Sequence, residues 1–494
     1  MTNTNRRKAF TFSVGIVATG VLLTSCATTP PMVEVSSGMV LRDVNVINTR
    51  DGSIAAHRAV VIDGGKIQQV LANDTVRMGG TATTVNATGN YVVPGFLDMH
   101  THAMSAAGQQ PSFWPLMIAN GITGIREMAG TPDAIRAAKR LNIESAAGRL
   151  DAPEVLLMAG PPLATAPTPE IGKAQVQQHK ALGADFIKFI AGNRDVALAV
   201  LSEAKAQRLE VSGHLTPAIS AIDASDAGWR SMEHLGAGMG ILLDCATDEA
   251  AIRRSVLNGE GARPPFGMAA IVSPMRFRNL DGPLYQRILD SYSAEKCQAV
   301  ARTFVKNDTW QAPSLIRLRT MSYSDDSQYR AAPELVYVAK GTRDMWEDLA
   351  KQYTANVTPE TATTFKQYYR LQEKLVLLMR NNGVKMLAGS DVGGIWVVPG
   401  FSLHQEFKAL AAAGLSPLDV LQMTTLNGAQ FLRREASMGT VEAGKNANLV
   451  LLEANPLESV DNLDRIGAVV LNGKLFSKDA LEKMKGDVAS AYRN

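Results

Sequence analysis

The chain has 494 residues, of which 46% are hydrophobic and 20% are charged, and its net charge is +3. This composition is typical of a large globular enzyme, and so small a net charge argues against nucleic acid as a partner. The length fits two or three average domains, or one α/β barrel with insertions.

Residues 1–26 predict a bacterial export signal. A positive start from Arg6 to Lys8 precedes an apolar run from Phe10 to Leu23. That run is shorter than the ~20 residues that a membrane-spanning helix needs. The pattern therefore favours a signal peptide over a transmembrane anchor. The export route, Sec or twin-arginine, stays open.

The residues Leu23-Thr24-Ser25-Cys26 resemble a bacterial lipobox, in which Cys26 is acylated and becomes the mature N-terminus. We therefore expect an exported lipoprotein that only its lipid anchors to the cell envelope, on the periplasmic side. Ala27 is not the aspartate associated with inner-membrane retention, which favours the outer membrane. A secreted protein with an incidental cysteine is the alternative.

Segments rich in β-forming residues lie near both ends of the chain. After a polar tether at residues 27–38, residues 39–93 alternate short apolar runs with turns, including a hairpin signal at Asp63-Gly64-Gly65. Residues 437–478 have the same texture. We predict that the two segments form one composite β-sandwich, followed by a helical tail at residues 479–494.

Eight candidate strands occupy the middle of the chain, residues 94–436, and helix-like segments follow most of them. The strands are 96–102, 124–128, 154–159, 185–190, 209–214, 231–234, 310–315 and 384–391. The helices include 133–143, 195–207, 294–306 and 417–432. This alternation predicts an α/β fold in which the middle forms a (β/α)8 TIM-like barrel.

Two long insertions interrupt the predicted barrel, at about residues 237–292 and 317–358. Long excursions from barrel loops usually build a substrate cover, and a dimer contact is the alternative. Cys245 lies in the first insertion and Cys297 follows it. An oxidising compartment would permit a disulfide between them, but two buried free thiols explain the sequence equally well.

The first barrel strand ends in the sequence PGFLDMHTH, whose histidines are His100 and His102. Side chains two residues apart on a strand share a face, so both imidazoles can hold one ion. Polar residues also stand at the ends of four later apolar runs, namely Lys188, His214, His234 and Asp391. Because active sites of such barrels lie at the C-terminal ends of the strands, these residues predict one metal site.

With these motifs, and with GTVEAGKNANLV beginning at Gly439, the chain resembles the amidohydrolase superfamily of metal-dependent hydrolases from about residue 39 to about residue 476. It is most similar to the binuclear branch with a carboxylated lysine, which includes dipeptidases that cleave Xaa-Pro or Xaa-Arg. The family commonly pairs its barrel with a sandwich of the kind predicted above.

The resemblance implies a role for each strand-end residue. His100, His102 and Asp391 would hold one divalent ion, and His214 and His234 would hold a second. Lys188 would become N6-carboxylysine by reaction with CO2 and bridge the two ions. Zn²⁺ suits the mixed nitrogen and oxygen ligands, with Mn²⁺, Co²⁺ or Fe²⁺ as alternatives.

The implied reaction is hydrolysis by a hydroxide that bridges the two metals. Asp391 would accept the proton of the attacking water and pass it to the leaving amine. Four further residues are candidates for substrate binding: Arg126, His404, Arg317 and Arg319. The two last arginines follow the predicted seventh strand, where their planar guanidinium groups could bind a substrate carboxylate. Packing or structural ion pairs are the alternatives for Arg126 and His404.

We therefore predict a hydrolase that cleaves an amide or peptide C–N bond of a small molecule, such as a dipeptide or an N-acyl amino acid. Hydrolysis of a cyclic amide, lactone or ester is the first alternative, because the same nucleophile attacks any polarised carbonyl. A catalytically silent binding lipoprotein is the second, although a binder has no need for Lys188 together with Asp391. A homo-oligomer is compatible with the sequence.

Overall fold

The computed structural model describes residues 1–2, 32–104, 112–261, 278–355 and 357–493. The predicted lipobox with Cys26, and most of the signal peptide, lie outside these ranges. So do residues 262–277 of the first predicted insertion. No helix within the described ranges is both long and apolar enough to cross a bilayer.

The strands of the described residues, in chain order, are β1 (Val33–Val35), β2 (Met39–Ile47), β3 (Ile54–Asp63), β4 (Lys66–Ala72), β5 (Val76–Met78), β6 (Thr83–Asn86), β7 (Tyr91–Pro94), β8 (Phe96–Thr101), β9 (Ile122–Glu127), β10 (Glu154–Met158), β11 (Phe186–Phe189), β12 (Glu210–Gly213), β13 (Trp229–Glu233), β14 (Trp310–Ala312), β15 (Leu449–Leu452), β16 (Ile466–Leu471) and β17 (Lys474–Ser477).

The α-helices are α1 (Phe113–Ala119), α2 (Pro132–Ala146), α3 (Pro169–Leu182), α4 (Arg194–Ala206), α5 (Ala221–Asp226), α6 (Gly240–Asp244), α7 (Glu249–Leu257), α8 (Arg278–Asp290), α9 (Ala294–Asn307), α10 (Leu315–Ser322), α11 (Ser327–Arg330), α12 (Lys340–Thr354), α13 (Pro359–Asn381), α14 (Phe401–Ala412), α15 (Pro417–Met423), α16 (Leu426–Phe431) and α17 (Lys478–Ala491). Short 3₁₀ helices cover Asn73–Thr75, His234–Gly236, Pro333–Tyr337 and Val460–Asp464.

The middle of the chain is α/β, as predicted, and its strands are parallel. One sheet has the order β10-β9-β8 and another has the order β11-β12-β13-β14. The strands β8, β9, β11 and β13 are buried along their whole length, as expected when helices cover both faces of a parallel sheet. Several of the helices between them start at a capping residue: Thr131, for example, accepts from the amide of Ala134 and precedes Pro132.

The described strands do not form the single closed barrel that the sequence predicted. Isolated bridges join the edges of the two parallel sheets instead: Ala159 pairs with Phe186, Gln311 with Met386, and Thr101 with Val392. The predicted eighth strand, residues 384–391, contains no strand beyond the Met386 bridge. Asp391 has a φ of 56°, which breaks the extended conformation that a ladder requires.

Two other predicted elements differ from the observed ones. The seventh strand ends at Ala312, before Pro313, and the chain then enters α10 through Ser314, which has a φ of 44°. Proline lacks the N–H that continues a ladder, so the strand stops there. The helix predicted at 417–432 is broken into α15 and α16, because Thr425 has non-helical dihedral angles of −135° and −87°.

The β segments from the two ends of the chain pair in one sheet of eight strands. Its order is β17-β16-β15-β7-β2-β3-β4, with β6 beside β2. The two segments meet where β7 pairs with β15, Val93 lying opposite Val450. A smaller sheet, β1-β5, is also present. The composite of both ends is therefore observed as a sheet, while its closure into a sandwich stays a prediction.

Cys245 and Cys297 form a disulfide, which settles the choice that the sequence left open. Their Cα atoms lie 4.8 Å apart, and both residues are fully buried. The bond ties the end of α6 to α9 across 52 residues of sequence.

Candidate metal centre

The parallel strands bring the predicted ligands to one edge of their sheets. Residue 102 directly follows β8, residue 214 follows β12 and residue 234 follows β13. The carboxyl ends of parallel strands meet at the same edge, so their side chains converge there. The residues involved are His100, His102, Lys188, His214, His234 and Asp391.

Asp391 is the centre of this arrangement. Its Oδ1 lies 3.3 Å from Nε2 of His100 and 3.3 Å from Nε2 of His102. Its Oδ2 lies 3.6 Å from Nε2 of His234. Within the described part of the chain, ligand atoms of His100, His234 and Asp391 all lie within 4.8 Å of one another. Two imidazoles and a carboxylate at this spacing are a suitable donor set for a divalent ion.

His214 and Lys188 lie beside this cluster. The rings of His214 and His234 are 5.4 Å apart between centroids. Lys188 is 2% exposed, and its Nζ makes no hydrogen bond to any described residue. A buried ammonium without a partner is costly, so this Nζ fits a modified or ligating lysine better than a structural one.

The backbone is strained at two of the ligands. His234 and Asp391 both have a φ of 56°, in the left-handed region that β-strand ends rarely adopt. The amide of Asp391 donates to the carbonyl of His100 at 2.8 Å. Gly389 permits this approach, because a Cβ there would lie 2.6 Å from Cβ of His100. Strain of this kind is concentrated at functional sites.

Burial keeps the histidines neutral. Burial and the charge of Lys188 lower the pKa of His100 to about 4. Burial first, together with neighbouring cations, also holds the pKa of His214 and of His234 well below the ordinary value. Neutral imidazole is the form that binds metal ions. Burial likewise lowers the pKa of Lys188 to about 8.

A buried carboxylate orients His100, and the sequence analysis missed it. Oε2 of Glu233 lies 2.7 Å from Nδ1 of His100, and both side chains are fully buried. Oε1 of Glu233 accepts from Arg126 at 2.6 Å and from Ser231 at 2.7 Å. A carboxylate that fixes the far nitrogen of a histidine is a common support for a metal ligand. Its position immediately before His234, in the sequence SMEH, was the available signal.

Arg126 therefore has a different place from the one predicted. It is fully buried, and besides Glu233 it donates to Ser231 at 3.1 Å and to the carbonyl of Met99 at 2.7 Å. These contacts use its guanidinium within the protein. The predicted role in substrate binding is left without structural support, and the ion-pair alternative is observed.

The other substrate-binding candidates separate into one residue at the site and two away from it. Nε of Arg317 lies 3.2 Å from Oδ2 of Asp391. Arg319 instead donates to Tyr329 at 2.6 Å and to Asp326 at 3.0 Å. His404 lies 2.9 Å from the carbonyl of Asn120 through Nε2, and its ring packs against aromatic neighbours.

A second buried carboxylate joins the first strand to the segment that carries Asp391. Asp98 accepts from the amide of Ser390 at 2.9 Å and from its hydroxyl at 2.5 Å. Asp98 also accepts from the amide of His100 at 3.3 Å. The contact fixes the chain on both sides of the His100–Asp391 pair.

A hydrophobic cluster packs the helices after β14 against the residues that follow Asp391. Trp396 stacks on Tyr329 at 6.2 Å between ring centroids and meets Trp346 edge to face at 5.7 Å. The buried members of the cluster are Tyr329, Val338, Trp346, Ala350, Tyr353, Ile395, Trp396 and Val398. Part of the second predicted insertion thus lies directly beside the candidate site.

Comparison with known proteins agrees with this geometry. Residues 372–476, which contain Asp391, match the model of the Amidohydrolase family. The structure resembles the solved structure of a bottromycin amidohydrolase with a TM-score of 0.67 and 19% identity, covering 92% of this chain and 90% of that one. The chain has the amidohydrolase fold.

Two further similarities are more restricted. A Xaa-Pro dipeptidase solved with methionine in its active site has a TM-score of 0.58 and 18% identity, over 89% of this chain and 100% of that one. Adenine deaminase 4 of Rhizobium meliloti (strain 1021) is 37% identical over 77 residues. That match spans 16% of this chain and only 12% of the deaminase. The family match and the hydrolase neighbours support an enzyme that acts on C–N bonds.

Proposed function

We propose that the protein hydrolyses an amide or peptide C–N bond of a small substrate at a centre for two divalent metal ions. The observation that carries this proposal is the convergence of three histidines on the carboxylate of Asp391, next to a buried lysine. A silent binding protein would gain nothing from burying these polar groups together.

The residues present fit a metal. Nε2 of His100, Nδ1 of His234 and Nζ of Lys188 are buried and make no hydrogen bond to the part of the chain that the structure describes. Nε2 of His100 faces Asp391 at 3.3 Å without hydrogen-bond geometry, as two ligands of one cation would. We assign His100, His102 and Asp391 to one ion, His214 and His234 to the other, and a carboxylated Lys188 to both.

Divalent ions held there would lower the pKa of a water molecule and polarise a carbonyl group. The chain itself supplies the proton transfer. Burial alone would raise the pKa of Asp391, but the charges of His234 and His100 and the hydrogen bond from His102 hold it well below its usual value. Asp391 is therefore ionised at neutral pH and can accept a proton at a carboxylate oxygen and deliver it to the leaving nitrogen.

The finer architecture belongs to the same proposal. We infer that the two parallel sheets and residues 384–392 make one ring, a (β/α)8 barrel at residues 94–436. The support is that Met99 donates to Ala388 and Leu387 donates to Gln311, each at 2.9 Å, across the gaps between the sheets. Residues 317–358 would then be a cover over the carboxyl ends of the strands.

Metal analysis and a substrate panel test the proposed function. We expect the soluble form that lacks residues 1–26 to bind two Zn²⁺, Mn²⁺, Co²⁺ or Fe²⁺ ions per chain. It should hydrolyse members of a panel of dipeptides and N-acyl amino acids faster than lactones. A protein that binds no metal and turns over no member of the panel would contradict the proposal. Preferential lactone cleavage would favour the ester alternative.

Substitution of Lys188 tests the bridging ligand. We expect Lys188→Ala to lose activity and bound metal, and added acetate or propionate to restore part of the rate. Native mass spectrometry should find the mass of one CO2 on the wild type and not on the variant. Lys445→Ala is the matched control, because Lys445 is also buried but donates to the carbonyl of Glu435. Normal turnover with two metals in Lys188→Ala would refute the carboxylated bridge.

A further inference from the structure

Arg317 is a buried cation with hydrogen-bonding capacity to spare at the candidate site. Its residue is 9% exposed, and its Nε lies 3.2 Å from Oδ2 of Asp391. Its Nη1 is buried and makes no hydrogen bond within the described ranges. Leaving an N–H of a charged group unpaired in a buried position is costly, so an acceptor from outside the chain would stabilise it.

The protein holds this guanidinium in a fixed position. Oε2 of Glu406 accepts from the amide of Ile316 at 2.7 Å and thereby anchors the first turn of α10. The aliphatic part of Arg317 passes over Gly394, where a Cβ would lie 3.0 Å from Cδ of the arginine. A preorganised arginine loses little conformational freedom when it binds an anion.

Asp391 alone cannot neutralise Arg317. The same carboxylate faces His100 and His102 through Oδ1 and His234 through Oδ2. If it holds a metal ion, as proposed above, its negative charge is shared with that ion. Arg317 then retains positive charge that a second anion can balance. Its planar fork matches a carboxylate, which can accept two of its N–H groups.

The position of Arg317 also fixes which part of a substrate it would contact. In the proposed reaction Asp391 delivers the proton to the leaving nitrogen. A group bound by an arginine in contact with Asp391 therefore belongs to the leaving amine and not to the acyl part. In an N-acyl amino acid or a dipeptide, the carboxylate nearest to that nitrogen is the α-carboxylate of the released amino acid.

We propose that Arg317 binds the α-carboxylate of the amino acid that leaves, so that the substrates are dipeptides or N-acyl amino acids with a free carboxyl end. This inference rests on the proposed function. Water adds to the carbonyl carbon, the C–N bond breaks, and the water proton moves through Asp391 to the nitrogen. The products are a carboxylic acid and a free amino acid.

A pair of variants on one helix tests the inference. The best-hydrolysed N-acyl amino acid of the panel and its carboxamide are compared with the wild type, Arg317→Met and Arg319→Met. We expect Arg317→Met to lower kcat/KM for the carboxylate about 10- to 100-fold and to change the carboxamide little, since a charge-assisted contact is lost. Arg319→Met should keep the wild-type preference, because Arg319 is bound to Tyr329 and Asp326. Equal losses on both substrates in Arg317→Met would overturn the inference.

A binding measurement separates this inference from the reaction itself. Calorimetry with N-acetyl-L-alanine and N-acetyl-L-alaninamide should show that Arg317→Met weakens binding of the acid only. Failure of the wild type to hydrolyse any panel member would contradict the proposed function, while the calorimetry would still decide the role of Arg317. If Arg317→Met does not fold, Arg317→Lys replaces it, because lysine keeps the charge and loses the fork. An unchanged preference in a folded Arg317→Lys and unchanged binding of the acid would then reject the site.

Discussion

At the scale of single residues, Glu233 has the most direct influence on the candidate metal centre. It fixes Nδ1 of His100 and is itself fixed by Arg126. We predict that Glu233→Gln lowers metal affinity about 10- to 100-fold, because the amide binds the imidazole more weakly and makes it a poorer ligand. Competition with a chelator of known Zn²⁺ affinity measures the change.

Glu210→Gln is the control for this substitution. Glu210 starts β12, at the end opposite to His214, and pairs with Arg433 at 2.7 Å. It should leave metal affinity unchanged. Equal affinity in Glu233→Gln and in the wild type would show that His100 needs no support from this carboxylate.

A second prediction concerns Glu406. Burial, and to a smaller extent the charge of Asp98, raise the pKa of Glu406 from its ordinary 4.5 to about 8, although backbone amides of Ile316 and Leu315 oppose the shift. The folded state thus holds a proton that the unfolded state has released once the pH exceeds 4.5. The contribution to stability is complete below 4.5 and is lost as the pH rises to about 8, at ~1.4 kcal/mol per unit of pKa difference.

Unfolding by urea at pH values of about 5 and about 8 checks this sign. We expect the wild type to lose more stability over this interval than Glu406→Gln, whose amide does not titrate. Asp244, with a pKa that burial raises to about 7, titrates in both proteins and cancels from the difference. Identical pH dependence in the two proteins would mean that Glu406 keeps its ordinary pKa.

The sequence predicted the residues of the site better than their supports. His100, His214 and His234 could be identified because each ends an apolar run, a pattern that local alternation reveals. The contact of Glu233 with His100 joins residues 133 positions apart and depends on how β8 and β13 face each other. Arg126 likewise gave no local sign of whether it faces the substrate or a buried carboxylate.

At the scale of elements, the disulfide is the feature with the clearest energetic consequence. It closes a loop of 52 residues that includes α7 and α8. The loss of chain entropy in the unfolded state predicts a stabilisation of about 4 kcal/mol for a loop of this size. We predict that the double variant Cys245→Ala, Cys297→Ala unfolds at a lower urea concentration. Equal unfolding midpoints for the variant and the oxidised wild type would contradict the entropy argument.

The elements that were predicted well have a strong period or clear caps. The helices α2, α4 and α9 differ from the predicted ranges by only a few residues at their ends, and Thr131, Asn193 and Ser293 cap them. Residues 384–391 were misjudged because their apolar run has the composition of a strand. The close approach of Gly389 to His100, which bends the chain there, is a tertiary contact.

At the scale of the whole molecule, the proposed lipid at Cys26 decides where the enzyme works. We predict that the full-length protein is found in the membrane fraction and that Cys26→Ala releases it, because the preceding apolar run is too short to span a bilayer. Mass spectrometry should find acyl chains on the wild type alone. Unchanged fractionation and mass in the variant would refute acylation.

The pairing of β7 with β15 has a consequence for the order of folding. Residues 91–94 acquire these neighbours only when residues 449–452 have been synthesised. A nascent chain on the ribosome therefore carries the apolar edge of β7 without its partner through most of translation. Contacts so distant in sequence form slowly, because a long loop must close first. A chain that completes its fold this late stays unfolded long enough to be threaded through a membrane, and one truncated before residue 449 would present an unpaired strand prone to aggregation.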